Sequence, residues 1–106
     1  MKVQYRVKPH EDLQKVIHAN KKIHSKSFTI YYEDNDYGHA RVGISTSKKL
    51  GHAVIRNRIR RQVRSMCREI IDFNVSKEYC IIVRSNYLQQ DFEKNKDELK
   101  KLILKI

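Results

Sequence analysis

The chain has 106 residues, which is enough for one small domain, spanning residues 1–106, around a single core. Its formal net charge of +11 and pI near 9.8 call for a polyanionic partner, and nucleic acid and an anionic membrane surface are the two candidates. No stretch approaches the roughly 18 apolar residues of a membrane span, and MKVQYRVKPHEDL lacks the apolar run of a secretory signal, so a cytoplasmic protein is expected.

Taken in chain order, Pro9 suits a first helical turn, and Glu11 and Asp12 favour its N-terminal dipole. Leu13, Val16 and Ile17 follow at i, i+3, i+4 spacing, which predicts a helix over 9–19. A basic polar loop is expected over 20–26. The run SFTIYYED alternates, with Phe28, Ile30 and Tyr32 on one side and Thr29 and Tyr31 on the other, so it reads as a strand. EDNDYG at 33–38 is a turn, and 40–46 is a second strand in which Val42 and Ile44 alternate with Arg41, Gly43 and Ser45. These two strands are expected to form a hairpin.

A loop around Gly51 leads into a helix over about 54–73. Residues 79–84 are nearly all apolar, as in a strand buried in the middle of a sheet. A polar connection over 85–90 precedes a last helix, with Asp91 as N-cap and Phe92, Leu99, Leu102 and Ile103 turned inward. The order is α-β-β-α-β-α. The expected fold class is α+β, a mixed sheet covered by helices.

The chemistry concentrates in KKLGHAVIRNRIRRQVRSMCR at 48–68, which carries many basic residues and no acidic one. Around a helix, Ile55, Ile59, Val63, Met66, Cys67 and Ile70 share one side. Arg60, Arg61, Arg64 and Arg68 gather with Asn57 on the adjoining side, and Arg56 lies at the seam. Ordinary solvated helix faces mix both signs of charge. An arginine-dense stripe beside an apolar one presents a fixed basic surface, and arginine suits two-pronged contacts to phosphate oxygens.

Other constellations are weaker. The five histidines, His10, His18, His24, His39 and His52, fall on different elements and offer no acid–base pair. Asp34, Asp36 and Gly38 open like a calcium loop, but Ser45 stands where a bidentate Glu is needed. Lys48-Lys49-Leu50-Gly51 lacks the spacing of a phosphate-cradling loop. Cys67 and Cys80 belong to no CxxC pair and read as two buried thiols.

STSKKLGHAVIRNRIRRQVR resembles the signature of the bacterial ribonuclease P protein subunit. Ser45, Ser47, Lys48, Lys49, Gly51, Ala53, Val54, Arg56, Asn57, Arg58 and Arg61 occupy the motif's places. His10-Glu11-Asp12-Leu13, 28–31 and 79–84 extend the match over nearly the whole chain. The resemblance implies a left-handed βαβ crossover, against the usual hand. It implies a large catalytic RNA as partner, which holds the active-site Mg2+ and cuts the 5′ leader from precursor tRNA. It implies no catalytic residue on the protein, and no protein partner or membrane is required. Lys48, Lys49, Arg56, Asn57, Arg58, Arg60, Arg61, Arg64 and Arg68 would then engage the RNA subunit. The single-stranded leader would lie between the first helix and the sheet, on Leu13, Ile17, Thr29 and Tyr31, with Lys26 for a phosphate. Leu13 and Ile17 stand where the family usually carries aromatic residues, which leaves Tyr31 as the main stacking platform. Arg41 is expected to add charge at the groove's edge.

Two classes of function stay open on the sequence. One is a non-catalytic protein subunit of a ribozyme. The other is a general RNA-binding or ribosome-associated basic module that uses the same helix. A self-sufficient nuclease is a third class, for which the chain shows no paired carboxylates.

Overall fold

The computed structural model of the chain describes residues 21–106, so the helix expected over 9–19 lies outside the described residues. Four strands form one sheet: β1 (Lys22–His24), β2 (Phe28–Asp34), β3 (Arg41–Thr46) and β4 (Lys77–Val83), in the order β1-β2-β4-β3. Two helices accompany it, α1 (Ala53–Ile70) and α2 (Phe92–Leu104), with short 3-10 turns at Lys48–Leu50 and Ser85–Gln89. The α+β class and the mixed sheet are as expected.

β4 takes the middle, as its apolar run KEYCIIV requires. It pairs antiparallel with β2 and parallel with β3, and α1 makes the connection between the two parallel neighbours. The expected hairpin between β2 and β3 is therefore wrong, because β4 lies between them. The 33–38 turn crosses over β4's entry instead: the Asn35 amide donates to the Ser76 carbonyl at 3.0 Å and the Ala40 amide to that of Phe73 at 2.9 Å. The expected loop over 20–26 also hides a strand. β1 is three residues long and mostly exposed, too short for its alternation to be read.

The core fills the space between one sheet face and the helices. Phe28, Ile30, Val42, Tyr79, Ile81 and Val83 come from the strands, Ile59, Val63, Met66 and Cys67 from α1, and Leu99 and Leu102 from α2. Asp91 caps α2 as expected, accepting from the Lys94 amide at 2.8 Å. Phe92 is not inward, however; it is exposed, and Asn95 is buried one turn on, its side-chain amide donating to the Tyr87 carbonyl at 3.0 Å. The 85–90 connection is likewise less polar than expected. Its Tyr87 is buried edge-on to Phe28, with ring centroids 5.7 Å apart, and its hydroxyl donates to Gln62 Oε1 at 2.7 Å.

One polar cluster fastens the β1–β2 turn to α2. Glu98 accepts from the Ser25 hydroxyl, from the Ser27 amide at 2.8 Å and from Gln90 Nε2 at 3.0 Å. Ser27 is itself fully buried, so this carboxylate satisfies an amide that water cannot reach.

Candidate nucleic-acid interface

α1 buries Ile59, Val63, Met66 and Cys67 and half-buries Ile55 and Ile70. That fixes which way its arginines point. Arg58, Arg61 and Arg68 are exposed, and Arg56, Arg60 and Arg64 are half-buried along the seam. At 1.5 Å per residue, the stripe from Arg56 to Arg68 is about 18 Å long.

Gly51 sets the start of the helix. Its φ of +130° is one that L side chains avoid, and a Cβ there would come within 3.0 Å of Ile55 Cδ1. The chain thus turns tightly from the Lys48–Leu50 turn into α1, with exposed Lys48 and Lys49 just ahead of it. No acidic residue occupies the first turn, so nothing in that turn offsets the positive end of the helix dipole. The sequence holds no Asp or Glu from 37 to 68. Glu69, the first acid after that stretch, is ion-paired to Lys96 of α2, whose hydrogen bond holds its carboxyl below the ordinary value.

Two arginines are positioned in different ways. Arg60 donates to Thr46 Oγ1 at 2.6 Å and to Asn57 Oδ1, which ties Arg60 and Asn57 to the end of β3. Arg56 has its Nε buried without a hydrogen-bond partner among the described residues. A buried donor of that kind costs free energy unless an acceptor arrives.

The second candidate surface is the sheet face opposite the core. Residues paired across the ladders share a face: His24, Thr29, Ile82 and Ser45 form one row, and Lys22, Tyr31, Cys80 and Gly43 the next. Glu33, Glu78 and Arg41 form a third row. Thr29 and Tyr31 lie on this face, as their alternation predicts, and are half-exposed, and Lys26 is exposed in the β1–β2 turn. Leu13 and Ile17 lie outside the described residues.

Arg41 requires a correction. It is 5% exposed, its guanidinium 3.2 Å from Glu78 Oε1 and stacked 4.4 Å from the centroid of the Tyr37 ring. Its charge is neutralised inside the fold and does not form a free rim. A cation missed in the sequence stands elsewhere on this face. Lys22, exposed on β1, places its ammonium 5.9 Å from the centroid of the Tyr31 ring. The signal was Lys22-Ile23-His24, a single alternation too brief to distinguish from loop.

Cys80 is buried in the middle of the same face, and burial pushes its thiol up to about 11. Burial pushes the Cys67 thiol up to about 12. Both are free and neither is a nucleophile at neutral pH. Among the described residues no cluster of His, Cys, Asp and Glu is placed to hold a metal ion, and no helix is long and apolar enough to cross a membrane. His24, His39 and His52 sit on separate segments; His10 and His18 are outside the described residues.

A family model described as Ribonuclease P matches residues 1–106. The ribonuclease P protein component of Mesoplasma florum is 39% identical over 101 residues, covering 93% of this chain and 92% of that one. That of Listeria welshimeri is 40% identical, covering 93% of this chain and 85% of its own. Among solved structures, the RNase P protein of Staphylococcus aureus is 29% identical with a TM-score of 0.82, covering 93% of this chain and 92% of that one. The RNase P protein of Thermotoga maritima shares the fold at a TM-score of 0.84 and 23% identity, covering 95% and 96%. Matched over its full length, with relatives close to 40% identical, the chain belongs to the ribonuclease P protein family.

Proposed function

We propose that this chain is the protein subunit of a bacterial ribonuclease P, an endoribonuclease only as a holoenzyme with its RNA. In this reading α1 and the Lys48-Lys49 turn grip the catalytic RNA. The Tyr31 face receives the single-stranded 5′ leader of precursor tRNA, and the RNA cuts that leader away to leave a mature 5′ end in the cytoplasm. The observation that carries the reading is the acid-free arginine stripe of α1, with Arg56 Nε buried and lacking an acceptor among the described residues, in a chain of this family.

The division of labour follows from the side chains. In this reading the Mg2+ is held by the RNA, as the family resemblance implies, and the protein's part is to bind and orient. Arginine forks meet phosphate oxygens in pairs, which positions a folded RNA without reading its sequence. A half-exposed tyrosine on a sheet suits an unpaired base, whose stacking is tolerant of sequence.

The test is reconstitution. The protein, mixed with a bacterial ribonuclease P RNA at low magnesium, should restore leader removal from precursor tRNA. RNA binding without any gain in leader removal would point to the general RNA-binding or ribosome-associated module. Cleavage by the protein alone would make it a nuclease in its own right.

A further inference from the structure

We propose that Lys22 is a leader-binding residue, its ammonium meeting a phosphate beside the nucleotide whose base stacks on Tyr31. The inference rests on the assignment of the single-stranded RNA to the Tyr31 face, and it adds to that face a cation from the edge strand.

The register carries it. Lys22 stands directly opposite Tyr31 in the β1–β2 ladder, and His24 opposite Thr29, so β1 lays its polar side chains along the same face. Directly opposed residues have Cβ atoms about 5 Å apart. The Lys22 ammonium reaches 5.9 Å from the Tyr31 centroid and remains exposed, with no ion pair among the described residues. The ammonium lies over the ring, and a base stacking there would displace it on its flexible stem towards that nucleotide's own phosphate. Arg41, whose charge is tied to Glu78, does not supply this cation.

The strand that bears Lys22 is also held in place. The Tyr32 amide donates to the Lys21 carbonyl at 3.1 Å, and Arg84 Nη1 donates to the Ser25 carbonyl at 3.1 Å. Glu98 takes the Ser25 hydroxyl and the Ser27 amide. The backbone around Lys22 is thus anchored on both sides, while its side chain keeps rotatable donors. A compact point charge on a flexible stem suits phosphates presented by leaders of differing sequence.

A lysine on an edge strand has a plainer use, which is to block edge-to-edge pairing with another chain. Affinity and salt dependence separate the two roles. Precursor tRNA and leaderless mature tRNA are titrated against holoenzyme carrying Lys22→Gln, Lys22→Arg or Tyr31→Ala, over a range of salt. Lys22→Gln should weaken precursor binding about three- to fivefold, the scale of an exposed ion contact. It should also reduce the salt slope by about 0.7, one single-strand phosphate, and leave mature tRNA binding unchanged. Lys22→Arg should retain most of the affinity. If Tyr31→Ala loses precursor binding while Lys22→Gln keeps both affinity and slope, the inference fails and the leader face stands. The same holds if Lys22→Gln only aggregates more readily. If neither variant distinguishes precursor from mature tRNA, the assignment of the leader to this face fails as well.

Discussion

The Arg60 guanidinium donates to the Thr46 hydroxyl at 2.6 Å, which joins the arginine stripe of α1 to the last residue of β3. The basic helix is therefore oriented by a polar contact in addition to its apolar stripe. Arg60→Ala should cost about 1 kcal/mol of stability, the usual net value of such a bond, and weaken RNA assembly too. Arg58→Ala with Arg61→Ala should weaken assembly at unchanged stability, since both side chains are exposed. Urea unfolding beside RNA titration checks the pair. Normal assembly by the Arg58/Arg61 variant would move the RNA face off α1.

Salt dependence measures the number of phosphates engaged. If α1 and the Lys48-Lys49 turn make about six contacts, log affinity for the RNA subunit should fall with log salt at a slope of about −4 to −5. A complex indifferent to salt would remove the electrostatic basis of the interface.

Tyr31→Ala should weaken precursor tRNA binding by about 1–2 kcal/mol, the scale of one base stacked on a ring. Mature tRNA has no leader to lose and should bind as before. Equal losses for both would show that Tyr31 supports the fold and does not touch the leader.

Arg41 should behave as a structural residue. Arg41→Ala removes the ion-pair partner that faces the buried Glu78 carboxylate at 3.2 Å, at a cost of about 3 kcal/mol. Replacing both, as Arg41→Met with Glu78→Leu, should recover much of that loss, because no uncompensated charge remains. Thermal unfolding of the two variants decides it: a single variant as stable as the parent would mean the pair is solvated.

Glu98 couples the β1–β2 turn to pH. Burial opposes its ionisation, but hydrogen bonds from Ser25, Gln90 and Ser27 outweigh this and hold the carboxyl below its ordinary 4.5. A carboxyl whose pKa is lower in the folded state stabilises the fold above its unfolded pKa and loses that contribution as pH falls through the folded value. Glu98→Ala should thus cost about 1–2 kcal/mol at neutral pH, chiefly by orphaning the buried Ser27 amide. The gap between variant and parent should narrow as pH drops below 4.5. A gap independent of pH would mean that the charge on Glu98 contributes nothing.

What the sequence disclosed and what it hid divide along one physical line. The helical stripe through Ile59, Val63 and Met66 and the apolar run of β4 are local patterns, and both were legible, as were the arginines that the stripe orients. The β2–β4 and β3–β4 pairings depend on residues far apart in the chain, so two alternating strands in succession looked like a hairpin. Arg41 looked like a surface charge because its partner, Glu78, sits on a strand not yet reached. Lys22 was hidden for the opposite reason: its strand is too short to show any period.

The central place of β4 also orders events during synthesis. β2 and β3 are made first but have no bond to each other, and α1 follows them with its apolar stripe uncovered. The sheet closes only once residues 77–83 have emerged and threaded between the two waiting strands. Such non-local closure is slow and leaves sticky surface open in the interval. A nascent chain halted before Lys77 therefore carries the whole arginine-rich segment of α1 without the strand that completes the sheet beneath it.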